Sequence, residues 1–106
     1  MSFSKTSRNA SLSGAVLKAD CQRNDGTWRW SEINTANFLG NIDGNFQWSD
    51  SNWNLTARNT TFNSPVITSD LQRRDHSWAT GKMINLDEHI ANIDGTLTYK
   101  VGFQYY

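Results

Sequence analysis

Two kinds of polar cluster occur in this chain, and each occurs twice. Gln22-Arg23-Asn24-Asp25 is answered by Gln72-Arg73-Arg74-Asp75, and Asn41-Ile42-Asp43-Gly44 is answered by Asn92-Ile93-Asp94-Gly95. Amides carry donors and an acceptor, guanidinium only donors, and ionised carboxylates only acceptors. Together with turn N–H groups they make planar arrays of donors and acceptors. Vicinal hydroxyls, each both donor and acceptor, complement such arrays, so sugars are the natural ligand class. The same arrays suit other polar ligands. Asn, Asp and Gly also serve turns for purely backbone reasons, and charged runs are commonly plain solvated surface.

Catalysis finds little support. A carboxylate pair, Asp43 with Asp75 or Asp94 with Asp25, has the residue types of a glycosidase, but one member needs a pKa raised by burial, and these sit in polar turns. His76 and His89 lack partners at metal-ligand spacing. No Ser or Thr lies in a nucleophile-elbow pattern, and there is no phosphate loop. The expectation is a protein that is not an enzyme and needs no cofactor or metal.

The elements that must position these groups are themselves duplicated. Thr6, Arg8, Asn9, Val16, Asp20, Gln22, Arg23, Asp25 and Trp28 recur fifty residues later as Thr56, Arg58, Asn59, Val66, Asp70, Gln72, Arg73, Asp75 and Trp78. Ile33, Asn34, Asn41, Ile42, Asp43 and Gly44 recur fifty-one later as Ile84, Asn85, Asn92, Ile93, Asp94 and Gly95, which places one extra residue between Trp78 and Ile84. Much of what recurs is polar, which a shared core alone would not require. At 106 residues the chain is one domain's worth, while each copy alone would be marginal. With no Pro/Gly/Ser-rich spacer near residue 50, the copies are expected to share one core.

Net charge is zero, so the diffuse attraction behind nucleic-acid and anionic-membrane binding is missing. No segment approaches a membrane span, and MSFSKTSRNA has no apolar signal region, so a cytoplasmic setting is expected over secretion. Asn9, Asn54 and Asn59 begin glycosylation triplets that such a setting would leave unused. Cys21 is the only cysteine, so no intrachain disulfide is possible. It aligns with Leu71, which reads as a small core residue.

The chain reads as strands and turns. Leu17, Ala19 and Cys21 alternate with Lys18, Asp20 and Gln22, and Ile67, Ser69 and Leu71 with Thr68, Asp70 and Gln72, the period of a half-buried strand. Asn24-Asp25-Gly26 predicts a type I′ hairpin turn leading into a strand over Thr27, Trp28, Arg29 and Trp30. Its copy carries His76 in place of the glycine, which predicts a different loop shape. One short helical turn per copy is expected, after Ile33 and after Ile84. Asn34 and Asn85 are its N-caps, and Asn85 with Glu88 has the spacing of a capping box. The Asn-Ile-Asp-Gly turns then lead into alternating strands at residues 45–48 and 96–99.

The residues from Ile84 to Tyr99, the two-copy layout, the opening Phe3-Ser4-Lys5-Thr6 and the central Asn41-Ile42-Asp43-Gly44 resemble the cyanovirin-N lectins, over the whole chain up to about Tyr99. The resemblance implies an all-β, pseudo-symmetric fold with short helical turns, in which the repeats exchange strands. One half would combine residues 1–38 with 89–106 and the other would span 39–88. It implies a non-enzymatic lectin for α1,2-linked mannose at the ends of high-mannose glycans, with mannose-bearing glycoproteins as partners. The first site would use Lys5, Thr6, Gln22, Arg23, Asn24, Asp25, Asn92, Ile93 and Asp94. The second would use Asn41, Ile42, Asp43, Ser51, Asn52, Thr56, Gln72, Arg73, Arg74 and His76. Asn and Asp side chains would bond mannose hydroxyls and Arg74 would close over the sugar. The family's two disulfide positions are Ser7, Cys21, Ala57 and Leu71 here. Gly40 and Leu55 stand in place of glutamates near the second site, Gln72 in place of a lysine, and Lys5 and Gln22 in place of a glutamine and a glutamate in the first. Asp50 replaces a proline at the point where relatives swap domains, so monomer and swapped dimer are both open. These departures leave an alternative: a protein-interaction module on the same fold, presenting an exposed aromatic patch of Trp28, Trp30 and Trp53.

Overall fold

A computed structural model of the chain describes residues 2–101; the end of the C-terminal tail, residues 102–106, lies outside them. Three antiparallel strands, β1 (Ser7–Ser13), β2 (Val16–Gln22) and β3 (Trp28–Asn34), form one sheet with β2 central. The hairpin β4 (Leu39–Ile42)–β5 (Asn45–Trp48) follows. The second copy repeats the plan, with a sheet of β6 (Ala57–Asn63), β7 (Val66–Gln72) and β8 (Trp78–Asn85) and a hairpin β9 (Ile90–Ile93)–β10 (Thr96–Tyr99). The alternation read at β2 and β7 is real: Leu17, Ala19, Cys21, Ile67, Ser69 and Leu71 are buried, and the residues between them are half-buried.

Much of the recurring polar sequence holds the sheets. Asn9 and Asn59 sit at a β-bulge in the left-handed region, φ +55° and +54°, a conformation that asparagine tolerates. From there their amides donate to Asp20 and Asp70, each at 3.0 Å. Arg8 and Arg58 pair with the same carboxylates at 3.8 and 3.4 Å. Their guanidinium groups cover the rings of Trp28 and Trp78 at 3.9 and 4.0 Å. The extra residue of the second copy is a bulge at Thr80 and Gly81 opposite Asp70. Gly81 takes φ +64° and donates its N–H to Asp70 Oδ1 at 3.0 Å.

Several turns differ from the sequence reading. Asp25 keeps negative φ and only Gly26 is left-handed at +89°, so the first hairpin is not type I′. Its chain closes through Arg23 N to Thr27 O and Gly26 N to Arg23 O, at 2.7 and 2.9 Å. The second loop does not change shape: Arg73 N to Ser77 O and His76 N to Arg73 O repeat the pattern at 2.8 and 2.9 Å, with His76 forced to φ +70°. The type I′ geometry lies instead at Asp43-Gly44 (φ +50° and +85°) and Asp94-Gly95 (+48° and +89°). Each copy has two short 3-10 turns rather than one, Phe3–Thr6 and Thr35–Asn37, then Trp53–Thr56 and Leu86–Glu88. Asn34 and Asn85 cap the later turn of each copy as expected. Glu88 does not complete a capping box; its carboxylate accepts from Trp48 Nε1 at 3.0 Å.

The copies exchange hairpins. β10 packs on β3 of the first sheet and β5 packs on β8 of the second. Leu97 N donates to Ser31 Oγ at 3.0 Å and Arg29 Nη1 to Thr96 Oγ1 at 2.6 Å. One buried cluster runs through both copies, including Phe3, Leu17, Leu39, Trp53, Leu71, Leu86 and Leu97. Trp53, expected in an exposed patch, is 1% exposed and donates its indole N–H to Thr35 Oγ1 at 2.8 Å. Gly40 lies against the Asp50 side chain so closely that a Cβ there would overlap it.

Candidate functional site

The second Asn-Ile-Asp-Gly turn and the first are each docked on the hairpin of the other copy. Glycine makes the close approach possible: a Cβ on Gly44 would lie 2.8 Å from Ala79 Cβ and 3.0 Å from Arg73 Cγ, and one on Gly95 would lie 2.9 Å from Arg23 Cγ. Asparagine fixes it. Asn41 Nδ2 donates to Gln72 O at 2.9 Å and to Thr56 Oγ1 at 2.8 Å, while its Oδ1 accepts from Gly44 N at 2.8 Å. Asn92 repeats this with Gln22 O, Thr6 Oγ1 and Gly95 N at 2.9, 2.9 and 2.8 Å, adding Thr6 O at 3.1 Å. Aspartate completes the joint. Asp43 Oδ1 accepts from Arg74 N at 3.0 Å, and Asp94 Oδ1 from Asn24 N at 2.9 Å.

Between the first copy's turn and the second copy's hairpin lies an open cleft of about 310 Å³, lined by Asn41, Ile42, Asp43, Thr56, Gln72, Arg73, Arg74 and His76. Ser51 and Asn52, also expected there, do not line it. Asn52 is bridged to Gly40 and stands at φ +61° just before the Trp53–Thr56 turn, without a side-chain capping bond. On the first copy's hairpin the bonds above bring Thr6, Gln22 and Asn24 together with Asn92 and Asp94 of the second copy's turn. Exposed Arg23, Asp25 and Ile93 lie on the same hairpin and turn, and exposed Lys5 precedes Thr6.

The electrostatics are those of a recognition surface. Asp25 Oδ1 accepts from Thr27 Oγ1 and N at 2.6 and 3.0 Å, and Asp75 Oδ1 from Ser77 Oγ and N at 2.5 and 2.9 Å. The hydroxyl bond first, and the backbone bond after it, hold both carboxyls below their usual range. A carboxylate kept ionised accepts hydrogen bonds from hydroxyls; a glycosidase's acid needs the opposite shift. Thr27 and Ser77 were missed in the sequence, although Asp followed two residues later by a hydroxyl recurs in both copies. The mouths of the two clefts differ: where the first has Asn24 and Gly26, the second has Arg74 and His76. The Arg74 guanidinium has no partner among the described residues, and His76 Nδ1 stands 3.5 Å from Gln72 Nε2. Among the described residues no group of His, Cys, Asp and Glu has the arrangement of a metal site.

The CVNH domain model matches residues 3–98. A cyanovirin-N homolog from Tuber borchii is 39% identical over 54 residues, 49% of this chain and 52% of that protein, so the match spans about half of the relative's length. A designed cyanovirin-N homolog lectin solved by NMR is similar at a TM-score of 0.87 and 31% identity, covering 94% of this chain and 100% of that one. Microvirin, solved as a complex with mannobiose, is similar at 0.78 and 29% identity, with 92% and 97% covered. With the matched region taking in both repeats, both exchanged hairpins and both turn-on-hairpin joints, the chain belongs to the CVNH domain family, the cyanovirin-N homologs.

Proposed function

We propose that the protein is a non-enzymatic lectin for α1,2-linked mannose at the termini of high-mannose glycans. It would bind through two clefts, one in the half made of residues 1–38 with 89–106 and one in the half made of 39–88. The observation that carries this reading is the duplication of a whole hydrogen-bond array: asparagine, glycine, aspartate and the opposing hairpin meet in the same way twice. What each array leaves towards solvent is the second carboxylate oxygen of Asp43 or Asp94, turn carbonyls, and the side chains of Gln22 and Asn24 or of Gln72, Arg74 and His76. Those groups include both acceptors and donors, the complement of hydroxyls that do both. Two such sites on one chain gain avidity on a branched glycan without any further contact. The designed lectin and the microvirin–mannobiose complex support the same ligand class.

The test is an NMR titration of labelled protein with α1,2-mannobiose. Shifts are expected at residues 41–43 with 72–76 and at residues 92–94 with 22–25. Asp43→Ala or Arg74→Ala should silence the former set and spare the latter, and Asp94→Ala should do the reverse. Unchanged titration in the Asp43→Ala/Arg74→Ala/Asp94→Ala protein would overturn the assignment.

A further inference from the structure

The second cleft is lined by cations that the first does not match. Arg73, Arg74 and His76 of the hairpin face one carboxylate of the turn, Asp43. Its Oδ1 is already taken by the Arg74 N–H at 3.0 Å. Gly40 and Leu55, which precede Asn41 and Thr56 on the other two walls, add no counter-charge. At the matching positions the first cleft has Arg23, Asn24 and Gly26 against Asp94, one guanidinium to one carboxylate, with the Lys5 ammonium beside Thr6. Asp25 and Asp75 belong to both hairpins alike, and each is turned onto its own loop by Thr27 or Ser77.

Two of these groups have donors to offer. Arg73 Nη1 donates to Ser77 Oγ and the Trp78 carbonyl at 3.4 and 3.5 Å. The Arg74 guanidinium meets no acceptor among the described residues, so its fork of five N–H groups is open. Two residues on, His76 is held at φ +70° where the first hairpin has Gly26 at +89°. Histidine takes that backbone at a cost that glycine does not have, so an imidazole is kept at the mouth against the preference of the turn. Gln72 Nε2, a donor, faces His76 Nδ1 at 3.5 Å. That arrangement leaves the ring proton on Nε2, and the neutral ring is then a donor as well.

Resting on the lectin reading, we infer that the second cleft takes mannose carrying a phosphate, with the anion at the mouth between Arg74 and His76. A guanidinium fork matches two phosphate oxygens, and a third is left for the imidazole N–H. A carboxylate has two oxygens and would satisfy Arg74 alone. The phosphate belongs on the C6 oxygen of the terminal mannose. That carbon stands outside the ring on a rotatable bond, so the anion reaches the mouth while the ring hydroxyls stay with Asp43 and Gln72. The two clefts then divide the ligand class: the first takes neutral termini and the second phosphorylated ones.

The test titrates the full chain at pH 7 with α1,2-mannobiose, with the same disaccharide phosphorylated at C6 of its terminal mannose, and with inorganic phosphate. Both clefts are followed by NMR. The phosphorylated sugar should bind the second cleft about tenfold tighter than the neutral one, the effect of one added hydrogen bond to a charged group. It should shift the Arg74 Nε–H and His76 ring signals, and its advantage should shrink as salt is raised. Arg74→Lys keeps the charge but not the fork, and His76→Gly copies Gly26. Each should lower the ratio of the two sugars' affinities, read within that variant. The inference is overturned, while the lectin reading stands, if the two sugars bind the second cleft equally or the gain is the same at both clefts. An unchanged ratio in both variants, or inorganic phosphate binding as tightly as the phosphorylated sugar, would overturn it too. If only the phosphorylated sugar binds there, the inference stands and the neutral ligand is lost from that cleft. If neither sugar binds at either cleft, the lectin reading fails and takes this inference with it.

Discussion

An amide side chain has two donors and two lone pairs. Asn41 has both donors and one lone pair committed within the protein, and Asn92 repeats this. These residues are struts between turn and hairpin, which on the proposed reading would leave sugar contact to the aspartates and the hairpin side chains. Asn41→Asp keeps the acceptor for Gly44 but turns a lone pair on the Gln72 carbonyl. It should cost about 1–3 kcal/mol and erase sugar-induced shifts at the second cleft while the first still titrates; Asn92→Asp should do the reverse. Urea denaturation read alongside the titration checks both, and wild-type stability in either variant would mean the turns are held by something else. The pairing of asparagines was plain in the sequence, but their role was not. Each amide faces a carbonyl 31 or 70 residues away, and no local pattern says which hairpin a turn will meet. Trp53 was misread for the same reason: its partner, Thr35, comes from the other copy.

At the scale of elements, the two hairpin loops share one shape although one has Gly26 and the other His76 at the left-handed position. The loops are set by their own closing bonds and by Asp25 and Asp75, which accept from Thr27 and Ser77. Together with Asp70, bonded by Asn59, Gly81 and Arg58, these aspartates have pKa values lowered on folding. The sign follows: the unfolded carboxyls take up protons first, near their usual value of about 3.9. The stability they confer is therefore complete above about pH 4 and is lost as pH falls through the lower folded values. Denaturation midpoints at pH 7, 5 and 3 should show the loss between 5 and 3, and Asp25→Asn/Asp70→Asn/Asp75→Asn should show a smaller one. The Gly81 bulge makes a second prediction. At φ +64° a Cβ is strained though nothing crowds it, so Gly81→Ala should lower stability by about 1 kcal/mol, a fall of roughly 4–8 °C in Tm. An unchanged Tm would mean that the bulge relaxes at no cost. Strands with strict alternation and the Asn34 and Asn85 caps were legible, because each is encoded within a few residues. The turns Phe3–Thr6 and Trp53–Thr56 were not: a single 3-10 turn is too short to show a period.

At the scale of the molecule, each copy supplies the hairpin that covers the other's sheet, and one core joins them. The seam is aromatic. Phe38 stacks on Tyr99 with centroids 4.2 Å apart and planes within 8°, Trp48 lies beside both, and His89 meets Trp48 edge-on at 4.8 Å. Cys21 is buried and unbridged, and burial, with Asp20 adding to it, raises its thiol pKa. Stability therefore comes from packing and is indifferent to reductant. Neither sequence copy can cover its own sheet, since the hairpin packed on each sheet comes from the other copy. Phe38→Ala should remove about 3–5 kcal/mol, and amide signals of β1–β3 and β6–β8 should vanish at a single lower denaturant midpoint. Two midpoints would mean that the halves unfold separately. The same coupling would carry the proposed sugar binding across the molecule. If one cleft binds mannobiose as proposed, a hundredfold excess over its Kd should stabilise the folded state by about 2.7 kcal/mol. In Asp94→Ala, where only the second cleft binds, that gain should slow hydrogen exchange equally in both sheets for amides that open only by global unfolding. Protection confined to β6–β8 would show that the exchanged hairpins join two units that nonetheless open apart.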